Sequence, residues 1–135
     1  MTKPGFDSEA LLAVIRGRLP DLLGVWLFGS RARGTARTDS DIDVAVLGRR
    51  PYDTVLVFET GLELSATALL DVDLLDLRDT SVVFRKQVAE HGKLLWTSDR
   101  EACDAFSADS CVLYVAQVEE QRALERELAR EQRRV

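Results

Sequence analysis

The sequence predicts an α/β (α+β) fold, in which helices flank a small mixed β-sheet and a long helix ends the chain. Short apolar runs typical of buried strands alternate with segments of helical periodicity over residues 8–96. Residues 98–134 contain neither proline nor glycine, and Glu and Arg alternate through their second half. We therefore expect one domain, 1–135, with a core at about 8–96 and a C-terminal helical extension at about 98–134.

Local signals define the remaining elements. Asp7 or Ser8 can cap a first amphipathic helix, which Pro20 ends. Capping residues also precede a later helical segment, which stops before Gly92. In order, we predict the capped helix, strands at 25–28 and 44–47, a helix within 52–69, a strand at about 71–77, a helix ending at His91 and a short strand at 94–96.

The C-terminal segment allows two arrangements. It can form one helix or be broken near Ser107–Ser110, where short polar residues cluster. On a single helix Cys103 and Cys111 would lie about 12 Å apart, which is too far for a disulfide. The last turns carry many charges and few apolar residues, so they lie in solvent or pack against another chain.

Composition narrows the class of protein. The chain has 135 residues, 46% of them hydrophobic, and a net charge of −5. That charge argues against non-specific nucleic-acid binding, which needs a basic surface. No apolar run approaches the ~18 residues of a membrane span, and the N-terminus does not resemble a signal peptide. With no disulfide framework, we expect a cytoplasmic protein without membrane or direct nucleic-acid contact.

A glycine turn follows the first predicted strand. Gly29 lacks a Cβ, so a ligand can approach the backbone closely there. Ser30 supplies a hydroxyl and an N–H at the start of a possible short helix, where free N–H groups favour an anion. Arg31 and Arg33 add positive charge, either as ligand contacts or as surface charges. The turn is suited to holding a phosphate.

A pair of carboxylates opens the second predicted strand. Asp41 and Asp43 are two residues apart, so both side chains leave the same face, with Cα atoms roughly 6.5–7 Å apart. Carboxylates that close repel each other unless a cation lies between them. They can converge on one hard cation, or on two about 3.5–4 Å apart. A magnesium–nucleotide complex would satisfy the turn and the carboxylates together.

Two well-known motifs are excluded at this position. The spacing of the glycines has the form of a P-loop, but Thr35 and Ala36 stand where Lys and Ser or Thr are needed. The alternate aspartates imitate the start of an EF-hand. In that loop Val44 and Arg50 would replace the required Gly and Glu, so no calcium loop is predicted.

The pattern Gly29-Ser30, ten residues, then Asp41-Ile42-Asp43 resembles the minimal nucleotidyltransferase (MNT) family of the DNA polymerase β superfamily. The sequence Arg31-Ala32-Arg33-Gly34 is also similar to the family's common form. The resemblance covers roughly residues 8–96. It implies the nucleotidyltransferase fold.

The resemblance also implies a third carboxylate on a later strand. The segment Val72 to Leu77 is similar to that strand, and Asp73 matches the family position best. Asp71, on the same face, and Asp76, on the opposite one, remain alternatives for this role.

The resemblance assigns roles to these residues. It implies transfer of a nucleoside monophosphate from a triphosphate, ATP being expected, to an acceptor hydroxyl with release of pyrophosphate. The implied catalytic and metal-binding residues, around two Mg²⁺ ions, are Asp41, Asp43 and Asp73. The implied nucleotide-binding residues are Gly29, Ser30, Arg31 and Arg33.

Stand-alone members of this family are commonly paired with a HEPN-domain protein. The resemblance therefore implies the antitoxin of a toxin–antitoxin pair, which AMPylates a tyrosine of a HEPN ribonuclease. Three other functions remain open: adenylylation of a small molecule, as by aminoglycoside nucleotidyltransferases; inhibition of a partner by binding alone; and extension of RNA ends, which the acidic charge disfavours.

Overall fold

The computed structural model describes residues 6–37 and 39–134. Its helices are α1 Ser8–Arg18, α2 Ser30–Arg33, α3 Thr54–Ala68, α4 Val82–His91 and α5 Arg100–Arg133. Its strands are β1 Leu22–Phe28, β2 Ile42–Gly48, β3 Val72–Asp76 and β4 Lys93–Thr97, and a 3₁₀ turn spans Leu77–Asp79. The predicted sheet flanked by helices, with a long C-terminal helix, is confirmed.

The four strands form one mixed sheet in the order β3-β2-β1-β4. The central strand β1 is antiparallel to both β2 and β4, whereas β2 and β3 are parallel and joined through α3. The register places Asp43 opposite Phe28 on one side and opposite Asp73 on the other. The N-terminal ends of β2 and β3 thus meet the C-terminal end of β1.

Helices cover both faces of the sheet. The face covered by α1 and α3 holds the larger core, whose strand residues include Val25, Val44 and Val46. The other face, covered by α4 and α5, packs Trp26, Ala45 and Leu47 among its buried residues. Because successive side chains on a strand alternate between faces, Asp43 belongs to the α4/α5 face.

Most predicted boundaries agree with the structure to within a few residues. The Asp7 carboxylate accepts hydrogen bonds from the N–H groups of Glu9 and Ala10, as expected of an N-cap. The first strand begins at Leu22, before the predicted apolar run at 25–28, and β1 is buried almost throughout. Gly61 does not interrupt α3, and a Cβ built on it would lie 3.8 Å from that of Leu74 on β3.

The possible break in the C-terminal helix is not present, since α5 is continuous over 34 residues. Its length is about 50 Å. The Ser110 hydroxyl donates to the Phe106 carbonyl at 2.7 Å, so this buried serine is satisfied within the helix. Cys103 and Cys111 are both on α5 and are free, as predicted. Side chains from 119 to 134 are all exposed.

Asp76 stabilises the segments that follow β2 and β3. Its side chain is buried, and its two oxygens accept hydrogen bonds from the N–H groups of Tyr52 at 2.8 Å and Arg78 at 3.0 Å. It lies on the strand face opposite to Asp73. The structure therefore assigns Asp76 a structural contact, away from the carboxylates of the predicted site.

We expect Asp76→Ala to lower the free energy of unfolding by about 2–3 kcal/mol, because two N–H groups would lose a charged acceptor in a buried site. Urea unfolding followed by circular dichroism measures this. Asp109→Ala, at an exposed position of α5, is the control and should change stability by about 0.5 kcal/mol or less. Equal stability of the two variants would contradict the role given to Asp76.

Candidate active site

The site begins where β1 ends in a turn that only glycine can make. Gly29 has φ +70° and ψ −153°, a conformation that L side chains rarely adopt. A Cβ built on it would overlap the Oδ2 atom of Asp43 on the neighbouring strand. The absence of a side chain at Gly29 therefore allows the carboxylate to lie against the backbone of the turn.

The predicted short helix follows at once. It is a single turn, α2, and Gly34 ends it in the left-handed conformation with φ +73°. The Ser30 carbonyl accepts hydrogen bonds from the N–H groups of Gly34 and Thr35. This turn leaves Ser30 half-buried beside the carboxylates of β2.

The pairing of neighbouring strands brings the predicted carboxylates close together. Asp73 is the direct partner of Asp43 in the parallel ladder, so their Cα atoms are about 4.8 Å apart and their side chains share a face. Asp41 lies just before β2, two residues from Asp43, and lines the same cleft as Asp43. Asp71 lies just before β3 and lines a shallow cleft with Asp39 and Asp41. The pairing of β2 with β3 thus places the three predicted residues at one end of the sheet.

The electrostatics of Asp43 reflect this grouping. Burial, and then the charges of Asp73 and Asp41, raise the pKa of its carboxyl above the ordinary value of 3.8, while Arg33 opposes this shift. Two carboxylates this close to a third disfavour its ionised form. A bound cation would reverse that effect, because it favours all three negative charges at once.

The donor set suits magnesium. Among residues 6–37 and 39–134, no group of three His, Cys, Asp or Glu side chains is already arranged closely enough to hold a metal ion. Asp41, Asp43 and Asp73 are nevertheless hard oxygen donors at one end of the sheet, and burial, followed by the charges of the other two, raises the pKa of Asp43. Hard carboxylate oxygens that a cation would draw together fit a Mg²⁺ site.

A shallow cleft of about 520 Å³ lies over these residues. Its walls include Asp41 and Asp43, together with three of the predicted nucleotide-binding residues, Gly29, Ser30 and Arg33. Asp73 lies at the β3 side, in contact with a neighbouring pocket beside α3. The predicted phosphate and metal positions are therefore adjacent, as the sequence pattern requires.

Arg31 is placed differently from the other predicted residues. Its guanidinium donates from Nε and Nη2 to the Ser40 carbonyl, at 3.2 and 2.7 Å, and stacks over the Phe6 ring. These contacts hold the segment that leads into β2. Its role in nucleotide binding remains a prediction, in which Arg31 would act at least in part by positioning Asp41.

The sequence analysis missed a second cavity, of about 530 Å³, between α4 and α5. Phe84 and Gln87 on α4 and Tyr114 on α5 line it, and it also touches Gly29 and Arg33. Capping residues predicted α4 as a helix, but no sequence motif marks these residues. In the structure Phe84 is 47% exposed, which makes it a large apolar side chain that packing leaves unburied.

Residues 12–101 match the family model described as polymerase beta, nucleotidyltransferase. The chain belongs to this nucleotidyltransferase family. It is 33% identical over 108 residues to the protein adenylyltransferase MntA of Shewanella oneidensis, covering 80% of this chain and 77% of that protein. It is 37% identical over 79 residues to the probable protein adenylyltransferase MntA of Haemophilus influenzae, covering 56% and 69%.

Solved structures of this nucleotidyltransferase family are similar over nearly the whole chain. A toxin–antitoxin crystal structure with AMP-PNP matches with a TM-score of 0.82 and 31% identity, covering 90% of this chain and 98% of that chain. A structure of a tri-AMPylated Shewanella oneidensis HEPN toxin in complex with MNT antitoxin matches with a TM-score of 0.75 and 29% identity, covering 89% and 93%. The predicted family, fold and enzyme class are confirmed.

One negative finding concerns the membrane. Within the part of the chain that the structure describes, no helix is both long enough and apolar enough to span a bilayer.

The raised pKa of Asp43 leads to a prediction about metal-free stability. A carboxyl whose pKa is raised in the folded state binds its proton more tightly there than in the unfolded state. Its contribution to stability is therefore fully present below the ordinary pKa of 3.8 and is lost as pH rises through the raised value. We therefore expect Asp43→Asn to raise the metal-free melting temperature at pH 7, by an increment that shrinks as pH falls toward 3.8.

Thermal unfolding in a chelator between pH 3.5 and pH 7.5 measures this increment. Asp109→Asn, at an exposed position of α5, should give no such pH-dependent difference. A wild-type protein more stable than Asp43→Asn at pH 7, or an increment independent of pH, would contradict the charge cluster.

Proposed function

We propose that this protein is the antitoxin of a HEPN/MNT toxin–antitoxin pair, and that it transfers AMP from magnesium-bound ATP to a tyrosine of its HEPN ribonuclease toxin. The observation that carries this proposal is the grouping of Asp41, Asp43 and Asp73 beside the turn at Gly29. The names of the similar proteins, adenylyltransferases and antitoxins in complex with a HEPN toxin, support the choice of acceptor. A cytoplasmic location is part of the proposal.

In this proposal Asp41 and Asp43 would hold two Mg²⁺ ions, and Asp73 the one nearer the acceptor. When bound, the ions would neutralise charge on the triphosphate and on the attacking oxygen. Their binding would also offset the repulsion that raises the pKa of Asp43. The protein's share of catalysis is then largely positioning and electrostatic preorganisation.

The chain's own residues account for the remaining roles. The N–H groups of the Gly29–Ser30 turn and the Ser30 hydroxyl would donate to the β- and γ-phosphates, with Arg33 at the edge of the same cleft. Asp73 would accept the proton of the tyrosine hydroxyl as its oxygen bonds to the α-phosphorus. The bond from that phosphorus to the bridging oxygen breaks, and pyrophosphate leaves.

The alternatives differ in the acceptor or in the need for chemistry. An aminoglycoside-like adenylyltransferase would use the same carboxylates on a small molecule. An antitoxin that acts by binding alone would not need them. One assay distinguishes the three, because it follows the acceptor and the toxin's activity separately.

The assay combines this protein, its proposed HEPN toxin partner, ATP and Mg²⁺. We expect intact-mass spectrometry to show additions of one AMP to a tyrosine, and the ribonuclease activity to fall in parallel. Asp41→Asn/Asp43→Asn should abolish the additions, because the site loses two of its three charges while the fold remains intact by circular dichroism.

Transfer by the double variant at the wild-type rate would contradict the catalytic role of Asp41 and Asp43. Suppression of the toxin without any addition would favour binding alone. AMP found only on added aminoglycosides would favour the small-molecule reaction.

We also propose that the chain forms a single domain, in which α5 extends a core at about 8–96. Within it, the part of α5 beyond about residue 118 would dock the toxin. Side chains 119–134 are exposed, and Leu124 and Leu128 are 60% and 51% exposed on this segment. Exposed apolar residues at helical spacing are what helix–helix docking uses.

A chain ending at residue 118 should therefore fold and bind magnesium-ATP but modify the toxin poorly. Circular dichroism, calorimetry with ATP and the mass-spectrometric assay test the three parts. In the full-length chain, Leu124→Ala/Leu128→Ala should reproduce the defect, whereas Glu127→Ala/Glu131→Ala serves as the control. Unfolding of the shortened chain would mean that the helix completes the core, and a full transfer rate would refute docking.

A further inference from the structure

The cavity between α4 and α5, here the α4–α5 cavity, adjoins the cleft over the carboxylates. Gly29 and Arg33 line both, so the two spaces adjoin at the glycine turn. Phe28, which also lines the cavity, is the register partner of Asp43 and faces the same side of the sheet. A molecule with phosphates in the cleft could thus extend into the cavity without crossing the sheet.

The walls of the α4–α5 cavity carry little net charge. The Lys86 Nζ atom is 2.8 Å from Glu90 Oε1 on the same helix and 4.6 Å from the centre of the Tyr114 ring. Because Glu90 already neutralises the charge of Lys86, the cavity is better suited to a neutral group than to a phosphate. The positive charge of Arg33 lies where the cavity meets the cleft.

The remaining lining includes three aromatic rings and one amide, together with Val83 and His91. Phe28 ends β1, Phe84 projects from α4 and Tyr114 from α5, and Gln87 lies one turn after Phe84. The volume of about 530 Å³ is within the range of ligand pockets. Aromatic rings stack on nucleobases, and a glutamine amide can donate to and accept from adenine at once.

We propose that the α4–α5 cavity binds the nucleoside half of ATP, with the base against its aromatic wall and Gln87 selecting adenine. At the 6-position adenine presents an amino donor where guanine presents a carbonyl acceptor. When the amide nitrogen of Gln87 donates to N7, its amide oxygen therefore has a partner at the 6-position only in adenine. Gln87 is then a specificity-determining residue. This inference rests on the proposed function only in taking ATP as the substrate.

Calorimetric titration of the full chain with magnesium-ATP, magnesium-GTP and inorganic tripolyphosphate tests it. Phe84→Ala should raise the Kd for ATP about tenfold and leave that for tripolyphosphate unchanged. Gln87→Ala should bring the ATP-to-GTP affinity ratio close to one. Phe58→Ala removes a comparably exposed phenylalanine from α3, on the other side of the sheet, and should change neither Kd.

Three results would overturn the inference. The first is an equal loss of ATP and tripolyphosphate binding in Phe84→Ala, which would place phosphates in the cavity. The second is an ATP-to-GTP ratio unchanged by Gln87→Ala, and the third is no ATP binding by the wild type. The proposed function fails separately, if the wild type binds ATP but transfers no AMP to the toxin.

Discussion

The approach of the Asp43 carboxylate to the backbone of Gly29 is the contact on which the site depends. It requires a residue without a Cβ, in a conformation that other residues rarely adopt, at the point where β1 ends. The same contact brings the predicted phosphate-binding turn and the predicted metal-binding strand together. Any side chain at Gly29 would push the two apart, so this position couples both halves of the proposed nucleotide site.

The mixed sheet explains how an unfavourable cluster of charges is tolerated. Val44 and Val46 bury one face of β2 against α1 and α3, while Ala45 and Leu47 bury the other against α4 and α5. Asp43 lies at the N-terminal end of β2, and Asp41 precedes the strand. The packed remainder of β2 holds Asp43 close to Asp73, although burial and then the charges of Asp73 and Asp41 raise the pKa of Asp43.

Helix α5 has two parts with different surroundings. The first turns of α5 pack Cys103 against the sheet, and α4 with Tyr114 forms the wall of the α4–α5 cavity. Beyond about residue 118 the same helix has exposed side chains throughout. A single continuous helix therefore links the proposed nucleoside site to the proposed docking surface.

The sequence by itself determined the strands, most helix boundaries, the family and the motif residues, because alternation, capping and the Gly29-Ser30 to Asp43 spacing are local properties. It left Asp71, Asp73 and Asp76 as competitors, and it could not decide whether α5 was broken. Tertiary structure separated Asp76 from Asp73 through its contacts with Tyr52 and Arg78. It also formed the α4–α5 cavity, because the lining combines Phe28 of β1 with Phe84 and Tyr114 from much later in the chain, and no local pattern records such packing.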